Sequence, residues 1–193
     1  REHPGVELSA QVAPSRYLVD DLLMNRSEFA LISLPYEHPK IDTVSLYRDR
    51  MPLVAGCDHP FAAAGKVTLQ DVVKEPLLLF HADSVSRKIV DEKLAEIGLQ
   101  PGAVMEMRSP EAMRKLVEAG VGISFLPEVA IADSVARGDL CTVEVEGVSF
   151  EREIGIARRR GRYFGPAIRR LLEQILTAYG GSRRWLDEVP GKH

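Results

Sequence analysis

The chain is poor in cysteine, holds no long apolar run and carries no excess of positive charge. Each lack closes off a class of function. Two cysteines stand among 193 residues. Cys57 and Cys141 lie 84 positions apart with no paired spacing, so two reduced, buried thiols of a cytoplasmic protein are expected, with a disulfide as the alternative. No stretch reaches the roughly 18 apolar residues that cross a bilayer, so no membrane partner is expected. No secretory leader is visible where Arg1 opens into polar residues. Net charge is −3 and pI about 6.0, whereas a domain that grips DNA directly shows a basic face and a pI above about 9. The basic run Arg158-Arg159-Arg160-Gly161-Arg162 lacks interleaved aromatics apart from Tyr163 and reads as a solvated face.

Catalytic signatures are missing too. The histidines His3, His38, His59, His81 and His193 are scattered, and no Cys/His cluster has metal-ligand spacing. There is no Gly-x-Ser-x-Gly elbow and no cysteine beside an obvious base. Neither glycine-rich phosphate loop occurs; Gly120-Val121-Gly122 is a fragment of one, placed before a strand instead of after it. No enzyme activity, metal or cofactor is expected.

What is present is an alternation of strands and helices around a core drawn from 45% hydrophobic residues. Val117 to Pro127 is the most informative stretch: a helix end, a turn, a buried strand and a new helix start. Gly120 and Gly122 allow backbone angles that a β-carbon forbids, and Pro127 suits a first helical turn. Val6 to Ala13 alternates apolar and polar residues and predicts a half-buried strand, followed by a helix with Ser15 at its N-cap. Apolar runs predict strands at Phe29 to Ile32, Leu77 to Phe80, Val104 to Met107 and Ile123 to Leu126. Helical spacing covers Ser84 to Ile97, Ser109 to Val117, Pro127 to Arg137 and the segment after Gly165-Pro166. Beyond Gly181 the chain turns polar and is expected to fray. The order predicts an α/β fold with mixed, mostly parallel sheets.

Polar side chains collect where strands give way to helices: Ser15, Ser33, Ser84, Ser86, Arg87 and Ser109. Hydroxyls at helix N-termini lie beside unpaired backbone N–H groups, a setting that favours anions. Arg87 offers a bidentate grip on a carboxylate. Each serine taken alone is equally a plain N-cap.

Several segments then resemble one family, the effector-binding (regulatory) domain of LysR-type transcriptional regulators. His3-Pro4-Gly5-Val6-Glu7-Leu8 resembles its His-Pro-x-Val-x-Leu start, and Phe29-Ala30-Leu31 its Asp-Leu-Ala-Leu strand, with Glu28 in place of aspartate. Asp58-His59-Pro60-Phe61-Ala62 is similar to its His-Pro-Leu-Ala segment. Val67 to Val72, Glu75-Pro76-Leu77 and Val117 to Pro127 follow in the family's order. The resemblance implies a two-lobed, type 2 periplasmic-binding-protein-like fold. Lobe I would comprise 1–48 and 150–181 without its first strand and helix, lobe II 49–149, and a tail 182–193. It implies a small-molecule effector between the lobes, with an anion the first candidate, at Ser15, Ser33, Ser84, Ser86, Arg87, Ser109 and the turn at Gly122. Ser33 replaces an arginine that some members carry. It further implies a homo-oligomer, dimer or tetramer, that touches DNA only through an N-terminal helix-turn-helix domain not present here. A transport-type solute-binding protein and an enzyme on the same frame are the alternatives.

Overall fold

The computed structural model describes residues 7, 9–180 and 184–187. Its elements run α1 (Ser15–Leu23), β1 (Ala30–Leu34), β2 (Ile41–Arg50), β3 (Leu53–Gly56), α2 (Pro60–Ala64), β4 (Lys66–Val67), α3 (Leu69–Val72), β5 (Pro76–Phe80) and α4 (Val85–Ala95). They continue with β6 (Ala103–Met107), α5 (Pro110–Glu118), β7 (Ile123–Phe125), α6 (Glu128–Arg137), β8 (Leu140–Val145), β9 (Glu151–Arg159), α7 (Pro166–Ala178) and α8 (Arg184–Asp187). The chain divides into two compact units, Arg1–Tyr47 with Glu153–His193, and Arg48–Arg152.

In the first unit a three-stranded sheet has the order β1-β9-β2, with β1 antiparallel to β9. Successive residues of β9 face opposite ways. Ala157 joins Val19 and Leu22 of α1 and Ile32 of β1 on one side. Ile156 joins Leu172 and Leu176 of α7 on the other. Pro166 starts α7, where a proline's missing N–H costs nothing.

Four expectations need correction in this unit. Glu7 and Ser9 to Ala13 form no strand, and Val12 is fully exposed; Val6 and Leu8, the other apolar positions of that alternation, lie outside the described residues. Alternation supplies a face but not a ladder, and no strand among the described residues pairs with it. Ser15 does not cap α1: Pro14 holds the N-cap position, and Ser15 is the first helical residue. The tail does not simply fray, because Trp185 and Leu186 of α8 are buried against α7 and Phe164. Arg158 is not on a solvated face. It is 3% exposed, with its guanidinium carbon 4.2 Å from the centre of the Trp185 ring. The other arginines of that run pair with side chains of the same unit, Arg159 with Asn25, Arg160 with Asp42 and Arg162 with Glu28.

The second unit is built on a six-stranded mixed sheet of order β4-β8-β3-β7-β5-β6. β5 runs parallel to both β6 and β7, while β3 runs antiparallel to β7 and β8. Alternate residues of β5 supply two cores. Leu77 and Leu79 meet Val90 and Leu94 of α4; Leu78 and Phe80 meet Met113 and Val117 of α5 and Ile131 of α6. Each fully buried side chain of this size contributes about 1.5–3 kcal/mol.

The two glycines before β7 differ in role. Gly120 has φ +73°, the left-handed conformation that closes a helix end. Gly122 does not adopt that conformation. It is needed for room, because a β-carbon there would lie 2.3 Å from the Pro76 carbonyl oxygen and 2.8 Å from Leu78 Cδ1.

The cysteines are not free thiols: Cys57 and Cys141 are joined in a disulfide, with Cα atoms 5.1 Å apart. The β3–β8 ladder brings them together, since Ala55 opposes Cys141 and Cys57 lies two residues further on. Such a pairing is set by sheet register and leaves no trace in local spacing.

Candidate functional site

The carboxyl ends of β5, β6 and β7 form the polar end of the second unit. β5 hands the chain to α4 on one face of the sheet. Its parallel neighbours β6 and β7 hand it to α5 and α6 on the other face. Where adjacent parallel strands send their chains to opposite faces, a crevice opens at their carboxyl ends, and α/β proteins hold ligands there.

Hydroxyls line that end. Ser84 caps α4, its Oγ accepting the Arg87 N–H at 3.1 Å. Ser109 caps α5, accepting the Ala112 N–H at 3.2 Å and donating to Glu111 Oε2 at 2.9 Å. Glu111 also takes up its own backbone N–H. That bond, with the Ser109 hydroxyl, holds its carboxyl below the usual carboxylate range. The start of α5 therefore already carries an anion of its own.

Ser86 is the second residue of α4 and is 4% exposed. Its Oγ accepts from Arg152 Nη1 at 3.3 Å, while Arg152 Nε and Nη2 donate to Asp49 Oδ2 at 2.8 and 2.6 Å. Arg152 thus links β9, β2 and the first turn of α4. Arg87 is occupied in the same way. Its Nε donates to Asp91 at 2.8 Å, and Nη1 donates to Glu106 at 2.9 Å and to the Phe80 carbonyl at 3.2 Å. Burial disfavours its charge, but the two carboxylates outweigh burial and raise its pKa. Arg87 therefore clamps α4 to β5 and β6, with both partners of opposite charge in place.

Between the β5 and β6 ends stands a cluster that sequence reasoning passed over. Asp83 Oδ1 lies 2.9 Å from His81 Nδ1, and Arg108 Nη1 reaches both Asp83 oxygens at 3.1 and 3.2 Å. The hydrogen bond to His81 and then the Arg108 guanidinium hold Asp83 below the usual carboxylate range. The signal available was position alone: both ends of the cluster directly follow apolar strands.

In the first unit Ser15 and Ser33 meet, with the Ser33 N–H donating to Ser15 Oγ at 3.2 Å. Gly122 stands apart from Ser84 and Ser109. It precedes β7 beside Pro76 at the amino ends of the parallel strands, opposite the end where α4 and α5 begin. Among the described residues no group of three His, Cys, Asp or Glu side chains is placed to hold a metal ion. No described helix is long and apolar enough to cross a membrane.

Residues 1–180 match the family model described as the LysR substrate binding domain. The HTH-type transcriptional activator CmpR of Synechocystis is 24% identical over 177 residues, covering 92% of this chain and 58% of that relative. The chain thus spans less than two thirds of the length of the curated relatives it matches. Two solved structures share the fold. The effector binding domain of QuiR in complex with shikimate gives a TM-score of 0.77 at 24% identity, covering 87% of this chain and 79% of that one. The regulatory domain of Synechocystis CcmR in complex with 2-PG gives 0.80 at 19%, covering 92% and 86%.

Proposed function

This chain belongs to the LysR substrate binding domain family, and on that premise we propose that it senses a small-molecule effector for a DNA-binding transcriptional regulator. The observation that carries the reading is the end of the sheet where β5 and its parallel neighbours part to opposite faces, with Ser84 and Ser109 capping the helices that begin there. The first turn of α4 offers backbone N–H groups and a helix dipole to an anionic or hydroxylated group. Arg87 contributes by fixing α4, since its guanidinium already serves two carboxylates.

The chain acts as a binding domain and not as a catalyst. The family is one of regulatory domains, and the polar groups at that end of the sheet are caps and ion pairs. The whole regulator works as a homo-oligomer in the cytoplasm and meets promoter DNA through a helix-turn-helix segment outside the 193 residues. The effector acts by favouring one arrangement of the protein over another, and this requires different affinities for the two. A coupling of about 1–3 kcal/mol, or about 5–150-fold in affinity, is the usual scale.

Calorimetric titration with a panel of small carboxylates, shikimate and benzoate among them, tests the reading. A member of the panel binds, and Ser84→Ala weakens it about tenfold, the loss expected for one hydrogen bond at a helix start. Wild-type affinity in Ser84→Ala and in Ser109→Ala together would overturn the placement of the site.

A further inference from the structure

We propose that Cys57 and Cys141 form a site of reversible oxidation, switching between a dithiol and the disulfide seen in the structure. The inference goes beyond effector binding and shares with the proposed function only its cytoplasmic setting.

Three observations support it. First, these are the chain's only cysteines, so oxidation has a single intramolecular outcome. Second, both residues are half-buried, so small oxidants and thiols can reach them, while their Cα atoms are held 5.1 Å apart, within disulfide range. Third, the strands around them are joined by backbone pairing as well as by the bond. β3 and β8 pair by backbone from Leu53 and Val143 to Gly56 and Leu140, immediately beside the cysteines. Both redox forms therefore keep the sheet. In a reducing cytoplasm an accessible pair of this kind rests as thiols and closes when an oxidant arrives.

With a hydroperoxide as oxidant the chemistry balances in two steps. One thiolate attacks the peroxide: an S–O bond forms, the O–O bond breaks, and hydroxide leaves to be protonated to water. The second thiolate then attacks the sulfenic sulfur: the S–S bond forms, the S–O bond breaks, and a second water is released. Two thiols lose two electrons and the peroxide gains them. Two equivalents of reduced glutathione reverse the change by thiol–disulfide exchange, leaving glutathione disulfide.

The bond joins two corners of the second unit. Cys57 directly follows β3 and leads through His59 into α2; Cys141 is the second residue of β8, close behind Gly138 and Asp139 at the end of α6. In the dithiol these corners open independently, and in the disulfide they open together. Residues 57–64 and 138–142 are therefore where the two forms differ.

The test uses the purified chain with hydrogen peroxide and reduced glutathione as probes and no effector, so its outcome is independent of whether the effector site is placed correctly. Mass spectrometry after alkylation should show peroxide removing both thiols together and glutathione restoring both. Amide hydrogen exchange at 57–64 and 138–142 should be about tenfold slower in the oxidised form. Cys57→Ser and Cys141→Ser should each leave one thiol that peroxide takes to a dimedone-reactive sulfenic acid. A disulfide that glutathione cannot reduce in the folded chain would make the bond a permanent staple and overturn the proposal. So would thiols that oxidise separately without pairing.

Discussion

A methyl group added at Gly122 should be far more damaging than one added two residues earlier. At Gly122 the new β-carbon falls 2.3 Å from the Pro76 carbonyl oxygen, 2.8 Å from Leu78 Cδ1 and 3.1 Å from the Pro76 carbonyl carbon. Leu78 can turn aside, but Pro76 is backbone, fixed by the β5–β7 ladder in which Leu77 opposes Ile123. Overpacking of a close-packed interior costs about 1–3 kcal/mol, and a backbone clash belongs at the top of that range or above it. At Gly120 nothing lies within 4 Å of the added carbon, and the only penalty is the positive φ of 73°. That strain is worth about 1–2 kcal/mol. For a unit of roughly 100 residues each kcal/mol moves the melting temperature about 4–8 °C. Gly122→Ala should therefore melt about 12–24 °C or more below wild type, and Gly120→Ala about 4–16 °C below, the Gly122 variant being the less stable of the two. Thermal unfolding followed by circular dichroism measures both. A Gly122→Ala protein that melts with wild type, or above Gly120→Ala, would refute the close-approach account of this turn.

Three further outcomes follow from the ion pairs and the single tryptophan. Lys115, then Ser134 and Arg114, hold the Glu118 carboxyl down to about 2 against the opposing effect of burial. Its folded pKa lies below the ordinary value, so the stabilisation is complete above about pH 5 and fades as pH falls towards 2. Glu118→Gln should cost no more than about 3 kcal/mol at pH 7 in urea unfolding, with the difference vanishing in acid; a pH-independent difference would contradict this. Arg152→Ala leaves Asp49, 4% exposed, without its guanidinium and should cost about 3–5 kcal/mol, part of it regained in the Asp49→Ala/Arg152→Ala double variant. Trp185 is the chain's only tryptophan, so its fluorescence reports α8 directly. Arg158→Ala should shift its emission to the red as α8 loosens, and an unchanged spectrum would show that the cation–π contact does not hold the helix.

The parts of this fold that were legible in the sequence are those fixed by neighbours along the chain. α4 and α5 show their caps as Ser84 and Ser109 and their buried stripes at helical spacing, and the structure places both helices within a few residues of the expectation. β5 and β7 show themselves as apolar runs because both of their faces are covered. What was not legible depends on partners far away in sequence. Val6 to Ala13 has the alternation of a strand, but its described part forms no ladder. Arg158 looks like one of a row of surface arginines, but Asp42, Phe164 and Trp185 of α8, all distant in sequence or beyond the run, enclose it. The Cys57–Cys141 bond needs the β3–β8 register.

The same division runs through the site. The serines were found from strand-to-helix junctions, yet Ser15 and Ser33 bond to each other, and Ser86 serves Arg152. In the sequence Arg87 offers a bidentate grip on a carboxylate, but Asp91 and Glu106 already fill that role from the next helical turn and the adjacent strand. The Asp83, His81 and Arg108 cluster went unnoticed because its members come from two loops joined only by the parallel pairing of β5 and β6.

The most direct test of the central claim is an amide NMR map of the chain titrated with the carboxylate that binds in calorimetry. The account predicts that the largest saturable shifts fall on Val85 to Arg87 at the start of α4, followed by Ser109 to Ala112. Saturable binding whose shifts miss both helix starts would contradict it.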